Sequence, residues 1–186
     1  MAARDKLVST TIDLMRRQGV AGTGVAAIVE NSAISRRSVY VNFPEGKSAL
    51  VAEATRVAGA ALGAEVARFN EFPTPAAAIE SFVVAWKRLI AGADFKAGCP
   101  IVAAALGRSE APLAADIAGD VFTDWHQTLA AGLQRHRIRP EQAESLAIII
   151  IAAIEGAVIT SLATRSLEPL DAVNVHLPEL ITLHSS

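Results

Sequence analysis

The 186-residue sequence predicts an all-α fold, for three reasons. Hydrophobic residues make up 52% of the chain and aromatics only 5%, and alanine is abundant, a composition that favours helix over strand. Apolar side chains recur at three- and four-residue spacing, and no stretch alternates with period two. Pro75, Pro100, Pro112, Pro140 and Pro169 each stand where a first helical turn tolerates proline.

The elements follow in order. A helix over 4–18 carries Val8, Ile12 and Met15 on one stripe, and Gly19 is its natural stop. Thr23 is placed as the N-cap of a short helix over 24–31 that turns Val25, Ile28 and Val29 inward. Ser32-Ala33-Ile34 is a brief break, after which Ser35 caps a third helix over 36–42. Phe43-Pro44-Glu45-Gly46 breaks the chain again. A long helix over 47–69 follows, with Leu50, Val51, Ala54, Val57, Ala58, Ala61 and Leu62 at helical spacing. Phe72-Pro73-Thr74-Pro75 has the composition of a module boundary, and helices are expected beyond it at 75–91, 99–108, 112–136, 140–165 and 169–183.

Charge is unevenly spread. The net charge is −2, but residues 1–56 hold eight basic and five acidic side chains, a net +3, against −5 for the remainder. That asymmetry directs anion binding to the first third of the chain. The single cysteine, Cys99, excludes an internal disulfide, and a reducing, cytoplasmic setting is expected. The first residues lead into an amphipathic segment rather than an apolar signal core. The longest apolar run, Leu146 to Ile154, ends at Glu155, short of the ~20 residues that span a bilayer, so a buried helix and no membrane association are expected.

Two short helices joined by a three-residue break, after a longer helix, form a helix-turn-helix pattern. The second short helix of such a unit lies in the major groove, with its early residues at base edges. Val39 and Ile34 face the core against Val25 and Ile28, which leaves Arg36, Arg37, Ser38, Val41 and Asn42 to face DNA. An arginine can grip guanine O6 and N7 with two hydrogen bonds. Tyr40 and Asn42 carry groups suited to phosphate oxygens, and Lys47 adds a cation at the start of the fourth helix.

With the Gly19 stop, Thr23, Ile28, the Ser35 cap, Ser38-Val39-Tyr40 and Phe43-Pro44, the stretch from Leu7 to Ala54 resembles the TetR-regulator DNA-binding domain. Phe43-Pro44-Glu45-Gly46-Lys47, with one residue more between Phe and Lys than the commonest form, and Gly98-Cys99-Pro100-Ile101-Val102 look like the LmrA-like branch. The resemblance implies phosphate contacts from Thr23, Tyr40, Asn42 and Lys47, and base contacts from Arg36, Arg37 and Ser38. Two positions depart from it. Ala33 stands where many relatives have glycine in the turn, and Arg37 stands where many have a small residue, so Arg37 either reads a base or holds a phosphate.

The organisation this implies is a helix-turn-helix DNA-binding domain over 1–48 and a helical ligand-binding and dimerisation domain over 49–186. The expected function is that of a repressor bound as a homodimer to a near-palindromic operator in double-stranded DNA, released by a small apolar or aromatic effector. The segment from Glu144 to Arg165 is the strongest dimer element, because its isoleucine-rich stretch, Ile148 to Ile151, is apolar nearly all round; the alternative is a core helix of a monomer. Phe82, Trp86, Cys99, Phe122, Trp125 and His126 are the candidate ligand contacts, with Glu155 as a polar anchor. The same Trp and Phe residues at helical spacing also read as plain core, and Glu155-Gly156 as a structural pair.

Other chemistries find little support. Gly22-Thr23-Gly24-Val25-Ala26-Ala27 fits a G-x-G-x-x-A fingerprint, but an Arg-bearing helix precedes it and no βαβ unit surrounds it. His126, His136, His176 and His184 lack metal-ligand spacing, and no nucleophile elbow or paired-carboxylate site exists, so neither metal, cofactor nor catalytic residue is assigned. The alternatives are a helical small-molecule enzyme and a protein-interaction module without DNA binding. Neither accounts for the capped, basic, tyrosine-bearing helix.

Overall fold

A computed structural model describes residues 2–185. Among them are nine α-helices and no strand: α1 (Ala3–Gly22), α2 (Val25–Ser32), α3 (Arg36–Asn42), α4 (Lys47–Ala67), α5 (Pro75–Gly92), α6 (Pro100–Leu106), α7 (Pro112–Arg135), α8 (Pro140–Thr164) and α9 (Glu168–Thr182). A single 3-10 turn, Arg68–Glu71, follows α4.

The helix ends follow local chemistry. Pro75, Pro100 and Pro140 stand in the first turns of α5, α6 and α8, and the Thr74 hydroxyl accepts from the Ala77 amide at 3.2 Å to cap α5. Gly19 does break α1, with φ 67°, but helical backbone resumes as far as Gly22. The expected cap of α2 is displaced by one residue: Gly24 is its N-cap, and Thr23 instead closes α1, its amide bonded to the Val20 carbonyl. Pro169 lies near the start of α9, which also contains Pro178.

The chain divides into two compact units, and the division does not follow a line at residue 48. The first comprises the residues through Ala61 together with Gly98–Val121. Its core holds Leu7, Leu14 and Met15 of α1, Ile28 of α2, Val39 of α3, Leu50 and Val51 of α4, and Ile101 and Ala104 of α6. Packing of α6 on α1 brings the later segment in. The Arg16 guanidinium donates to the Gly98 carbonyl at 3.0 Å, and the Gly98 amide donates to the Arg16 carbonyl at 2.9 Å. At the other end of α6, a Cβ on Gly107 would lie 2.6 Å from Val20.

The second unit comprises Leu62–Ala97 and the residues from Phe122 onward. Here α9 packs on both α5 and α8. Ile79, Val83, Trp86 and Ile90 of α5, Leu146, Ile150 and Ile154 of α8, and Leu170, Leu177 and Ile181 of α9 are buried. Lys87 reaches Asp171 at 2.6 Å, linking α5 to α9. Helix α8 is long and apolar enough, by length and composition, to cross a membrane, because Glu155 interrupts the apolar run without ending the helix. Its inward side, including Glu155 itself, is buried in this unit. The opposite side carries Ile148, Ile149, Ala152, Gly156, Ile159 and Ala163, all exposed and all within an arc of about 100° at the helical repeat.

Candidate nucleic-acid interface and apolar cavity

The helix-turn-helix is built by short-range bonds. Ala33, after α2, takes the left-handed conformation at φ 53° and ψ 28°. The buried Ser32 hydroxyl accepts from the Ile34 amide at 3.2 Å. Ser35 then caps α3, accepting from the Ser38 amide at 3.2 Å. Val39 is fully buried and Phe43 nearly so. At about 100° per residue, these two fix the inward side of α3 and set Arg37 and Val41 diametrically opposite it.

After α3, Pro44-Glu45-Gly46 makes a tight turn, with the Gly46 amide donating to the Phe43 carbonyl at 2.8 Å. Gly46 is required there twice over. Its φ is +67°, and a Cβ would sit 3.1 Å from the Tyr40 ring. The extra residue before Lys47 is thus absorbed in a left-handed turn on which the Tyr40 ring rests.

The cations of this unit fall into two groups. Arg17 is held by Asp13 at 3.0 Å, and Arg4 and Arg56 converge on Glu53 at 2.9 and 3.0 Å. The Arg4 guanidinium also lies 5.0 Å over the Phe43 ring. The hydrogen bond from Arg4, with the fields of Arg4 and Arg56, holds the Glu53 carboxyl below its ordinary range. Arg36 and Arg37, both exposed, and Lys47, half-buried, have no ion pair with any described residue. Arg16 is spent on the Gly98 carbonyl and Arg108 on Asp116, and the exposed Lys6 of α1 likewise has no ion pair with a described residue, so the cations left for an anion are Lys6 together with Arg36, Arg37 and Lys47.

The other residues expected at the interface are placed differently. Thr23 is fully buried, and its hydroxyl donates to the Gly19 carbonyl at 2.7 Å, so a phosphate contact would require that bond to break. The Asn42 amide nitrogen donates to the Ser38 carbonyl at 2.8 Å, with the Ser38 hydroxyl at 3.4 Å. It braces α3 rather than projecting from it. Tyr40 is 43% exposed and flanks the outward face.

In the second unit, a partly open cavity of about 40 Å³ is lined by α5, α8, the end of α4, the second half of α7, and the 3-10 turn. Rings of Phe69, Phe72, Phe82 and Trp125 line it, with Ile150, Ile154 and the Glu155 carboxylate. Of the expected ligand contacts, Phe82, Trp125 and Glu155 are therefore brought together. Phe122 stands behind Trp125, edge-on at 5.4 Å, outside the lining. His126 is half-buried, also outside it, and burial lowers its imidazole pKa. Trp86 belongs to the buried face of α5, away from the lining. Cys99 is buried at the start of α6 in the first unit, so it plays no part in this cavity. Phe69, Phe72, Leu129 and Ile150 had no sequence signal separating a lining residue from plain core.

Comparison with known proteins agrees with this geometry. Residues 7–54 match the family model described as bacterial regulatory proteins, tetR family, and residues 75–176 match that of the transcriptional regulator LmrA/YxaF-like C-terminal domain. An uncharacterized HTH-type transcriptional regulator of Mycobacterium tuberculosis is 29% identical over 185 residues, covering 96% of this chain and 93% of its own length. The HTH-type transcriptional regulator LmrA of Bacillus subtilis is 25% identical over 182 residues, covering 96% of each. Among solved structures, a TetR transcriptional regulator of Legionella pneumophila shares the fold with a TM-score of 0.86 at 17% identity, over 97% of each chain. A regulatory protein TetR of Rhodobacter sphaeroides does so with a TM-score of 0.86 at 16% identity, over 95% of this chain and 97% of that one.

The fold and its exposed cationic helix define a helix-turn-helix transcriptional regulator. The chain belongs to the TetR family, in its LmrA/YxaF-like branch. Members of this family are DNA-binding regulators, not enzymes, and bind DNA as dimers. The enzyme and protein-only alternatives fall with that assignment.

Proposed function

We propose that this regulator is a cytoplasmic repressor that binds a near-palindromic operator as a homodimer and is released by a small apolar or aromatic effector. The observation that carries the reading is that Arg37 on the outward face of α3, and the exposed Arg36 in its first turn, have no ion pair with any described residue. Arg37, opposite the buried Val39, reads a base edge, most favourably guanine O6 and N7. Ser38 flanks it, and Arg36 reaches the duplex from the first turn of the helix. Tyr40 and Lys47 hold phosphate, while Thr23 and Asn42 support the unit from within.

The exposed apolar arc of α8, with Val175 of α9 (54% exposed), supports a twofold interface in which each copy covers the other's isoleucines. The aromatic lining supports an apolar or aromatic effector. A cavity of about 40 Å³ is far below the ~300–1,000 Å³ of typical ligand pockets, so the effector must displace side chains to enter. Phe72 and Phe82 are the least buried rings of the lining. Helix α4 bears Lys47 in its first turn and Glu65 and Val66 of the lining near its end. Effector entry therefore acts on the helix that continues from the reading head, through differential affinity for the two states.

Selection of duplexes from a random pool tests the reading. A pair of inverted half-sites should be enriched, and affinity for them should fall steeply as salt rises, because each neutralised phosphate releases counterions. Apolar compounds that quench Trp125 fluorescence should release the duplex. Enrichment of no sequence, or binding insensitive to salt, would count against it.

A further inference from the structure

Val41 is 72% exposed and lies at the centre of the face that α3 turns away from its core. An exposed valine is ordinary on a protein surface; its position gives this one meaning. Val39 and Phe43 define the inward side of the helix, and Arg37 and Val41, one turn apart, lie together opposite it. The neighbouring side chains are otherwise engaged: the Asn42 amide nitrogen is bound to Ser38, and the Tyr40 ring rests against Gly46. What remains at the apex of the helix is a cation without an internal partner and, four residues on, a small apolar group. Valine is branched at Cβ and nearly fixed at χ1 in a helix, so its methyl groups point in a set direction at little entropic cost.

The major groove presents one apolar feature to such a group, the C5-methyl of thymine. A face made for phosphate alone would carry cations and hydroxyls here. We propose that Val41 is a specificity-determining residue that packs against a thymine C5-methyl, about one or two base pairs from the base that Arg37 contacts. The proposal rests on the reading of α3 as the recognition helix. It differs from that reading in making a chemical demand of the operator: a methyl group at one position in each half-site.

Uracil provides the test, since it differs from thymine by that methyl alone and pairs identically. A duplex enriched from a random pool by the full-length chain is resynthesised with each thymine replaced singly by uracil. Binding is measured for the wild type and for Val41→Ala, whose melting temperature is checked to confirm that it folds. The wild type should bind one uracil duplex per half-site about fourfold more weakly, the worth of one methyl group removed from water. Val41→Ala should bind thymine and uracil equally at that position while keeping the wild type's preferences elsewhere. Indifference of the wild type to every uracil overturns the proposal, as does a uracil penalty that persists in Val41→Ala. Failure to enrich any duplex would overturn the recognition-helix reading itself, and the proposal with it.

Discussion

At the scale of single residues, the helix-turn-helix holds one strained position and resolves another. Ala33 sits at φ 53°, where a Cβ crowds the following carbonyl and costs roughly 1–2 kcal/mol. The sequence shows this position only as an alanine in a turn. It cannot show whether the turn relaxes or the alanine bears the strain, and the structure places the alanine in the left-handed region. Ala33→Gly should therefore raise stability, by about 0.5–1 kcal/mol after the greater freedom of glycine in the unfolded chain is subtracted. A higher midpoint of urea unfolding at unchanged slope would register it; an unchanged or lower midpoint would show the turn to be unstrained. Gly46 is the opposite case, with glycine where both the backbone and the Tyr40 ring demand it.

At the scale of elements, most helix ends were legible in the sequence because their signals are local. Pro75, Pro100, Pro112 and Pro140 begin α5, α6, α7 and α8, and Ser35 caps α3 over the residues its pattern indicates. The exceptions are Gly19, past which helical backbone resumes as far as Gly22, and Thr23, whose hydroxyl chose the Gly19 carbonyl behind it over the helix ahead. What the pattern could not give is how helices are tied together. Glu53 joins Arg4 of α1 to Arg56 of α4, and Arg4 also covers Phe43 at the end of α3. These ties are 49 residues apart for Arg4 and Glu53, beyond the reach of any local rule. Because the two arginines hold this carboxyl below its ordinary 4.5, the folded state binds its proton less readily than the unfolded chain does. Its contribution is therefore complete above about pH 4.5 and is lost as pH falls through the lower, folded value. Glu53→Gln should cost about 0.5–1 kcal/mol at neutral pH, the scale of a partly exposed ion pair. The gap to wild type should close on acidification below pH 4.5, and a gap independent of pH would argue against the ionic origin.

At the scale of the whole molecule, the fold class and the recognition module were readable from composition and from one short stretch, Ser35 to Lys47. The compact units were not, since the packing of α6 on α1 joins segments about 80 residues apart and leaves no trace in local pattern. Nor was the cavity, because its lining has the spacing of ordinary core. The outer arc of α8 is a different matter. A helix apolar on every side must be covered on more than one, and one side of α8 remains exposed in the single chain. Ile148, 54% exposed, can be replaced without disturbing the fold of its own chain. Ile148→Glu should convert a dimer into a folded monomer by sedimentation, with operator affinity falling as the second reading head is lost. A dimer that survives the substitution would place the interface elsewhere.

The central claim is that α3 reads sequence through Arg37, and comparing Arg37→Ala with the wild type on two duplexes tests it most directly. One duplex is the operator enriched from a random pool; the other is an unrelated sequence of equal length at the same salt. If Arg37 grips a base, the substitution should lower operator affinity by about 1–3 kcal/mol per half-site and leave binding to the unrelated duplex nearly unchanged. Operator affinity equal to that of the wild type, or an equal loss on both duplexes, would contradict it.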